Sequence, residues 1–272
     1  MEEEYSCDFM DLERFRDEML PFMGMAGQEE RRKMDAAIAQ IRADWPGREK
    51  ILQKQHGAYY YEYAIKDGLL YDRAGKAIAP AVGKPVYLLF TSSAQSDLTR
   101  AIMAYTHSNY YHVSVALNEN LMNLYSFAPA GQQEGWQGGF CSDSIVHYKR
   151  DNWLIRVSCI FVSETDYRVI MGALSEFGKN DRDTQYNYQG LIRYILGRKE
   201  ETNPYCMFCS QFVRYLFGQI GIELVKKEPC FTSPEDIASL DASSGVYRLY
   251  DGEAGLYRKE RILETVRSVM GL

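Results

Sequence analysis

Two residues able to take part in nucleophilic chemistry occupy informative settings. One is Cys209, within Phe208-Cys209-Ser210-Gln211-Phe212-Val213, and the other is His112, which opens His112-Val113-Ser114-Val115-Ala116-Leu117. Cys209 stands where a loop becomes a helix. A thiol there feels the positive end of the backbone dipole and nearby unpaired N–H groups, and both favour the thiolate that attacks a carbonyl carbon. An imidazole titrates near neutrality and can take a proton from a thiol and give it back. Together the two residues would form a nucleophile and its base. Each also has a plainer reading: a small cysteine filling core volume, and a structural histidine at a strand end.

The elements that must position them are legible. Phe212, Val213, Leu216, Phe217 and Ile220 form an apolar helix face, and Cys209 begins it. A nucleophile on a helix packed against a sheet has a fixed position, and the backbone N–H of its own turn can stabilise an oxyanion. Alternation along the histidine strand places His112, Ser114 and Ala116 on one side and Val113, Val115 and Leu117 on the other. Of the other histidines, His56 belongs to a helical region, His107 to a loop, and His147 precedes Lys149-Arg150; these read as structural or exposed.

Cys206 and Cys209 also form a CxxC pair, which is the pattern of a redox dithiol or of half a zinc site. There is no second CxxC and no histidine at finger-like spacing, so the pattern argues against zinc. Cys206 could instead form a reversible disulfide that protects Cys209. Cys7, Cys141, Cys159 and Cys230 read as packing or exposed residues. The glycine-rich stretch Gly131–Gly139 contains neither phosphate-loop pattern and reads as a surface loop bordering a cleft.

The remaining elements follow from periodicity and punctuation. Residues 8–56 read as helical, with Met10, Leu12, Phe15, Met19, Phe22 and Met23 at near-helical spacing and a break at Pro21. A second helix is predicted over Gln28–Asp44, ended by Trp45-Pro46-Gly47, with a third from Arg48 towards His56. Strands are predicted over Tyr59–Ile65, Val86–Phe90, His112–Leu117, Met122–Phe127, Trp153–Val162 and Val246–Tyr250. Helices are predicted over Asp97–Tyr105 (capped by Ser92 or Ser93), Glu164–Phe177 (closed by Gly178), Tyr188–Leu196, Cys209–Ile220 and Glu253–Met270. This order predicts an α+β fold with a largely antiparallel sheet. Residues 1–80 would be a helical N-terminal extension and residues 81–272 the main domain with its C-terminal helix.

Bulk properties narrow the function classes. The 272 residues are 46% hydrophobic and 25% charged, enough for a substantial core. The net charge of −6 gives no electrostatic case for nucleic acid as a partner. The N-terminus Met1-Glu2-Glu3-Glu4-Tyr5 lacks the basic and apolar regions of a signal peptide, and no apolar run is long enough for a membrane span. Six cysteines spread over this length do not resemble a secreted disulfide framework, so the expected compartment is reducing and cytoplasmic. The 21 tyrosines, including Tyr59-Tyr60-Tyr61 and Tyr110-Tyr111, read mainly as half-buried strand residues with surface hydroxyls, or else as the lining of a cleft.

A strand opened by His112 is followed by the helix start Phe208-Cys209-Ser210-Gln211-Phe212-Val213 and by Thr232-Ser233-Pro234-Glu235-Asp236. In that order these motifs resemble the NlpC-like papain-fold superfamily, specifically its circularly permuted branch, in which histidine precedes the nucleophilic cysteine. The resemblance covers roughly residues 84–252. It implies a permuted papain-like fold, with Cys209 as nucleophile and His112 as general base. It also implies a third polar residue on the strand after the histidine strand. Asn123, Tyr125 and Ser126 are available there; Ser126 matches the position best, and a carboxylate or imidazole is absent. The implied activity is that of a cysteine hydrolase (peptidase, amidase or thioesterase-like) or acyltransferase. It would act on an amide, ester or thioester bond of a peptide, amide or acyl-conjugate substrate, without metal or organic cofactor. The alternatives are a catalytically silent binding module and a Cys206/Cys209 dithiol redox protein.

Overall fold

The computed structural model describes residues 10–257, apart from Ala26 and the segments 56–58, 67–68, 79–82, 94–95, 130–136 and 151–152. The chain begins with helices α1 (Met10–Phe22) and α2 (Gln28–Gln55), followed by short strands β1 (Tyr59–Tyr60), β2 (Tyr63–Lys66), β3 (Leu69–Asp72) and β4 (Ala77–Ile78). Next come β5 (Lys84–Ser92), α3 (Asp97–Tyr105), β6 (His112–Ala116), β7 (Leu124–Pro129), β8 (Gly138–Asp143), α4 (Ile145–Arg150) and β9 (Leu154–Val162). The remainder is α5 (Glu164–Lys179), β10 (Gln185–Tyr186), α6 (Tyr188–Leu196), β11 (Cys206–Met207), α7 (Cys209–Gly218), α8 (Pro234–Ala238) and β12 (Val246–Glu253).

Seven strands form the main sheet in the order β1-β12-β9-β5-β6-β7-β8. Every neighbouring pair in it is antiparallel, so the fold is α+β with an antiparallel sheet packed on helices. Strand alternation divides the core. Val86, Leu88, Phe90, Val113, Val115 and Phe127 pack against Phe212, Val213, Leu216 and Phe217 of α7. Tyr87, Leu89, Ala116, Leu124, Ile155 and Val157 face the other side, where they pack with Ala64 and Leu70 of the β2-β3-β4 sheet and with Ile145 and Tyr148 of α4. A third cluster joins Leu12, Ile38, Ile41, Trp45 and Leu52 of the N-terminal helices to Ala101, Met103 and Ala104 of α3.

Several boundaries differ from the sequence expectation, each for a physical reason. Helix α2 runs through Pro46 to Gln55 instead of ending at Trp45. A proline inside a helix costs about 3 kcal/mol, and burial of Trp45 (1% exposed) and Leu52 on either side offsets it. Strand β1 pairs with β12 and so belongs to the main sheet. Ser96, rather than Ser92 or Ser93, caps α3, and its hydroxyl accepts from the Thr99 N–H. Helix α5 passes Gly178, and the Asn180 N–H reaches the Glu176 and Phe177 carbonyls. Gly138 and Gly139, expected in a loop, open β8. A Cβ on Gly139 would lie 2.5 Å from Thr184 Oγ1. At the other end β12 extends to Glu253 and a 3-10 turn covers Ala254–Leu256; the rest of the expected C-terminal helix, and His56, lie outside the described residues.

Candidate active site

Cys209 is the first residue of α7 and is 3% exposed. A buried polar cluster holds that helix start. The Gln211 side-chain oxygen accepts from the Phe208 N–H at 3.0 Å, half of a reciprocal cap. Gln211 Nε2 donates to Glu200 Oε1 at 3.2 Å, and Asn187 Nδ2 donates to the same oxygen at 2.6 Å. Arg193 closes the cluster with an ion pair to Glu200 Oε2 at 3.0 Å. Asn187 also caps α6 by accepting from the Gly190 N–H at 2.7 Å.

Thr232-Ser233-Pro234-Glu235-Asp236 ties the cysteine helix to the loop before His112. Ser210 Oγ donates to the Thr232 carbonyl at 2.6 Å. Ser233 caps α8, and Glu235 Oε2 accepts from the Asn109 N–H at 2.8 Å and from Ser108 Oγ at 3.2 Å. Tyr110, expected to show its hydroxyl at the surface, is 3% exposed and donates to Asp251 Oδ1 at 2.8 Å. Arg156 Nε grips the other Asp251 oxygen at 2.9 Å. The backbone entering β6 is therefore anchored from two sides.

Strands β6 and β7 share a single registered pair, Val115 with Tyr125, and splay towards residue 112. Cys209 occupies the resulting gap. Its Sγ lies 4.0 Å from the Tyr111 carbonyl oxygen, and the Val113 N–H acts on the sulfur to favour its thiolate. The thiol thus touches the main chain on both sides of His112. The imidazole, 8% exposed, is registered beside Thr91 and makes its hydrogen bond with Ser114 Oγ, 3.1 Å from Nε2. No hydrogen bond joins Sγ to the imidazole among the described residues.

Ser126 is 2% exposed, and its hydroxyl donates to the Val113 carbonyl at 2.9 Å. The splayed strands leave that carbonyl without a ladder partner, and Ser126 supplies one instead of contacting His112. The carboxylate that acts electrostatically on His112 is Asp143, at the end of β8. Sequence reasoning missed it because it lies one strand beyond the place examined; its signal was an acidic residue at a strand end facing the histidine side, registered with Leu124.

Burial dominates the electrostatics. It pushes the Cys209 thiol up to about 11, although the N–H groups of Val113, Ser210 and Cys209 itself pull the other way. Helix-start activation is present, but desolvation outweighs it. Burial likewise pushes His112 down to about 4, against the favourable charge of Asp143. At neutral pH both groups are uncharged.

Cys209 lines an apolar cavity of about 80 Å³. Leu12, Phe15, Met34, Ile38 and Ile41 of the N-terminal helices line one side; Ala101, Ile102, Leu191 and Ile195 line the other. Tyr186 lies in the same wall, beside Met207 in the β10–β11 pair and 6% exposed. It also borders a second, polar cleft that contains Gln185, Asn187, Arg193, Glu200 and Cys206. Cys206 and Cys209 are both free thiols, and they line different cavities.

Among the described residues, no group of three or more His, Cys, Asp and Glu side chains could hold a metal ion. No helix among them is long and apolar enough to cross a membrane. Comparison with known proteins yields no matching family model, curated protein or solved structure.

Proposed function

We propose that the protein is a cysteine hydrolase or acyltransferase of permuted papain-like fold, with Cys209 as nucleophile and His112 as base. One observation carries the reading. The thiol at the start of α7 fits the gap between β6 and β7, in contact with main chain on both sides of His112 and at the wall of a cavity. The substrate would present an amide, ester or thioester carbonyl at Sγ. The Cys209 and Ser210 N–H groups, which already act on the sulfur, would donate to the oxyanion. Asp143 would support the imidazolium as it forms. Such an enzyme needs its thiol kept reduced, which suits the cytoplasm.

The resting pair is neutral. Moving a proton from a thiol at about 11 to an imidazole at about 4 is uphill by about 10 kcal/mol. Proton transfer therefore accompanies attack on the carbonyl instead of preceding it, and the neutral imidazole is already in the form a base requires. One observation favours a second reading, a silent binding module: the imidazole bonds to Ser114 and not to sulfur.

Hydrolysis of p-nitrophenyl esters and acyl thioesters by wild type, Cys209→Ala and His112→Ala separates the two. The catalytic reading predicts turnover that Cys209→Ala abolishes and His112→Ala lowers at least about 100-fold. Turnover unchanged in Cys209→Ala would overturn it.

A further inference from the structure

Cys209 is shut in, and the N-terminal helices supply much of the closure. The thiol is 3% exposed, and the cavity it lines has about 80 Å³ of room, whereas sites for small molecules start at about 300 Å³. A space of that size admits water but not an ester or amide with its leaving group. Leu12 and Phe15 of α1, with Met34, Ala37, Ile38 and Ile41 of α2, form one side of it. Helix α1 also borders the polar cleft beyond Tyr186, through Glu18, Met19 and Phe22, and that cleft holds about 740 Å³.

The way α1 and α2 are held suits them to move together. Ion pairs staple one to the other: Arg16 to Asp35, Arg31 to Asp17 at 2.8 Å, and Arg42 to Glu13 at 2.7 Å. Side chains attach them to the rest of the molecule, through the apolar cover over the cavity, the ring contact of Phe15 with Tyr188 (6.1 Å between centroids) and the Glu30–Arg198 ion pair. Among the described residues, no backbone–backbone hydrogen bond joins α1, or α2 up to Trp45, to any later element. Pro46 then interrupts α2, because it has no N–H to offer the preceding turn, and Gly47 beside it adds backbone freedom. Every α2 residue in the cavity wall precedes this break. Just after it, Arg48 Nη1 donates to Asn109 Oδ1 at 3.1 Å and holds the second half of the helix to the body.

We propose that α1 and α2 through Trp45 form a lid over Cys209, hinged at Pro46-Gly47, and that the closed arrangement is the resting state of the protein. Its catalytic meaning rests on the reading of Cys209 as nucleophile; the movement itself does not. Lifting the lid joins the small cavity and the polar cleft into one open groove that passes over Tyr186, with Cys209 at its end. It also admits water to the sulfur and relieves the burial that pushes the thiol up. The N–H groups of Val113, Ser210 and Cys209 are then left to favour the thiolate. One movement thus exposes the nucleophile and activates it. The N-terminal helices, whose function is not written in their sequence, become the control element of the site.

The test reads access to the thiol in the full chain, by iodoacetamide labelling and peptide mapping. Cys159, 0% exposed in β9, reports global unfolding in the same sample. In wild type, Cys209 should label at least about 100-fold faster than Cys159, through local opening. Two cross-links then bracket the hinge. Glu30→Cys/Arg198→Cys joins the lid to the body, and Arg48→Cys/Asn109→Cys joins the anchored half of α2; each pair is bridged with a short bismaleimide or, as control, capped with N-ethylmaleimide. Relative to its capped control, the 30–198 bridge should slow Cys209 at least about tenfold and the 48–109 bridge less than about twofold. Labelling of wild-type Cys209 no faster than Cys159, or no slowing by the 30–198 bridge, overturns the lid. Equal slowing by both bridges overturns the hinge at Pro46-Gly47. Hydrolysis of p-nitrophenyl acetate by the same samples separates this from the reading of the chemistry. A gated thiol without turnover supports the lid and refutes Cys209 as nucleophile, whereas Cys209-dependent turnover that the 30–198 bridge leaves unchanged overturns the lid.

Discussion

Replacing Gln211 by alanine tests whether the polar cluster behind Cys209 holds the thiol in its gap. The change leaves the Phe208 N–H, in a residue 4% exposed, without its acceptor at 3.0 Å. An orphaned buried donor costs about 1–3 kcal/mol. The change also removes one N–H donor from Glu200, whose side chain is 7% exposed, although Asn187 and Arg193 remain in contact with it. A hydrogen bond to a charged group is worth about 1.5–3 kcal/mol, and the surviving partners argue for the low end. The expected loss is about 3 kcal/mol, a large share of the ~5–15 kcal/mol typical of a domain. Urea unfolding should report it as a lower midpoint at unchanged slope. Gln211→Glu keeps the acceptor but sets a second carboxylate against Glu200. That variant should be destabilised at pH 7 and recover when the pH falls far enough to protonate one of the two. Combining Gln211→Ala with Glu200→Gln should give a coupling of at least about 1 kcal/mol. A loss below about 0.5 kcal/mol for Gln211→Ala would refute the reasoning.

Other consequences follow from burial and close approach. His112 titrates near 4 folded and near 6.5 unfolded, so the unfolded chain takes up the proton first. Its contribution is intact above about 6.5 and lost as pH falls to about 4, by about 3 kcal/mol; a stability–pH curve for His112→Asn with the same acid limb as wild type would contradict this. The Cys209 thiol, held near 11 against an ordinary 9, prefers the neutral form in the fold. Stability should fall by about 3 kcal/mol as pH rises from 9 to 11, and Cys209→Ala should remove that share of the alkaline loss in chemical denaturation. Gly139→Ala places a methyl 2.5 Å from Thr184 Oγ1 and 2.8 Å from the Thr184 carbonyl oxygen. Backbone must move, and thermal unfolding should show a loss of about 1–3 kcal/mol; an unchanged midpoint would mean that the contact is relieved without cost.

Local pattern was readable where one element determines it. Alternation in His112–Ala116 and the apolar stripe of α7 gave the right element types, although β6 is buried on both faces, with Val113 and Val115 on the side of α7 and Ala116 on the other. Gly197, in the left-handed region at φ 66°, ended α6 where expected. What failed depended on distant partners. Pro46 reads as a stop until Trp45 and Leu52 are known to be buried on both sides of it. Cys209 reads as an activated thiol until its desolvation is weighed against three N–H groups. Ser126 reads as a partner for His112 until the splay of β6 from β7 exposes a carbonyl that needs its proton. Asp143 was hidden because strand order, which no local window contains, brings it to the histidine's side. Likewise, nothing in the N-terminal helices announces that Phe15 and Ile38 share a wall with a cysteine far along the chain.

The most direct test of the central claim is to trap the covalent intermediate. Wild type, His112→Ala and Cys209→Ala would be mixed with p-nitrophenyl acetate, quenched in acid, and read by intact mass and peptide mapping. The account predicts a single acetyl group on Cys209 in wild type, labile to hydroxylamine, formed much more slowly in His112→Ala and absent from Cys209→Ala. Acetylation at other residues with Cys209 untouched, or labelling of Cys209 at the same rate with and without His112, would contradict it.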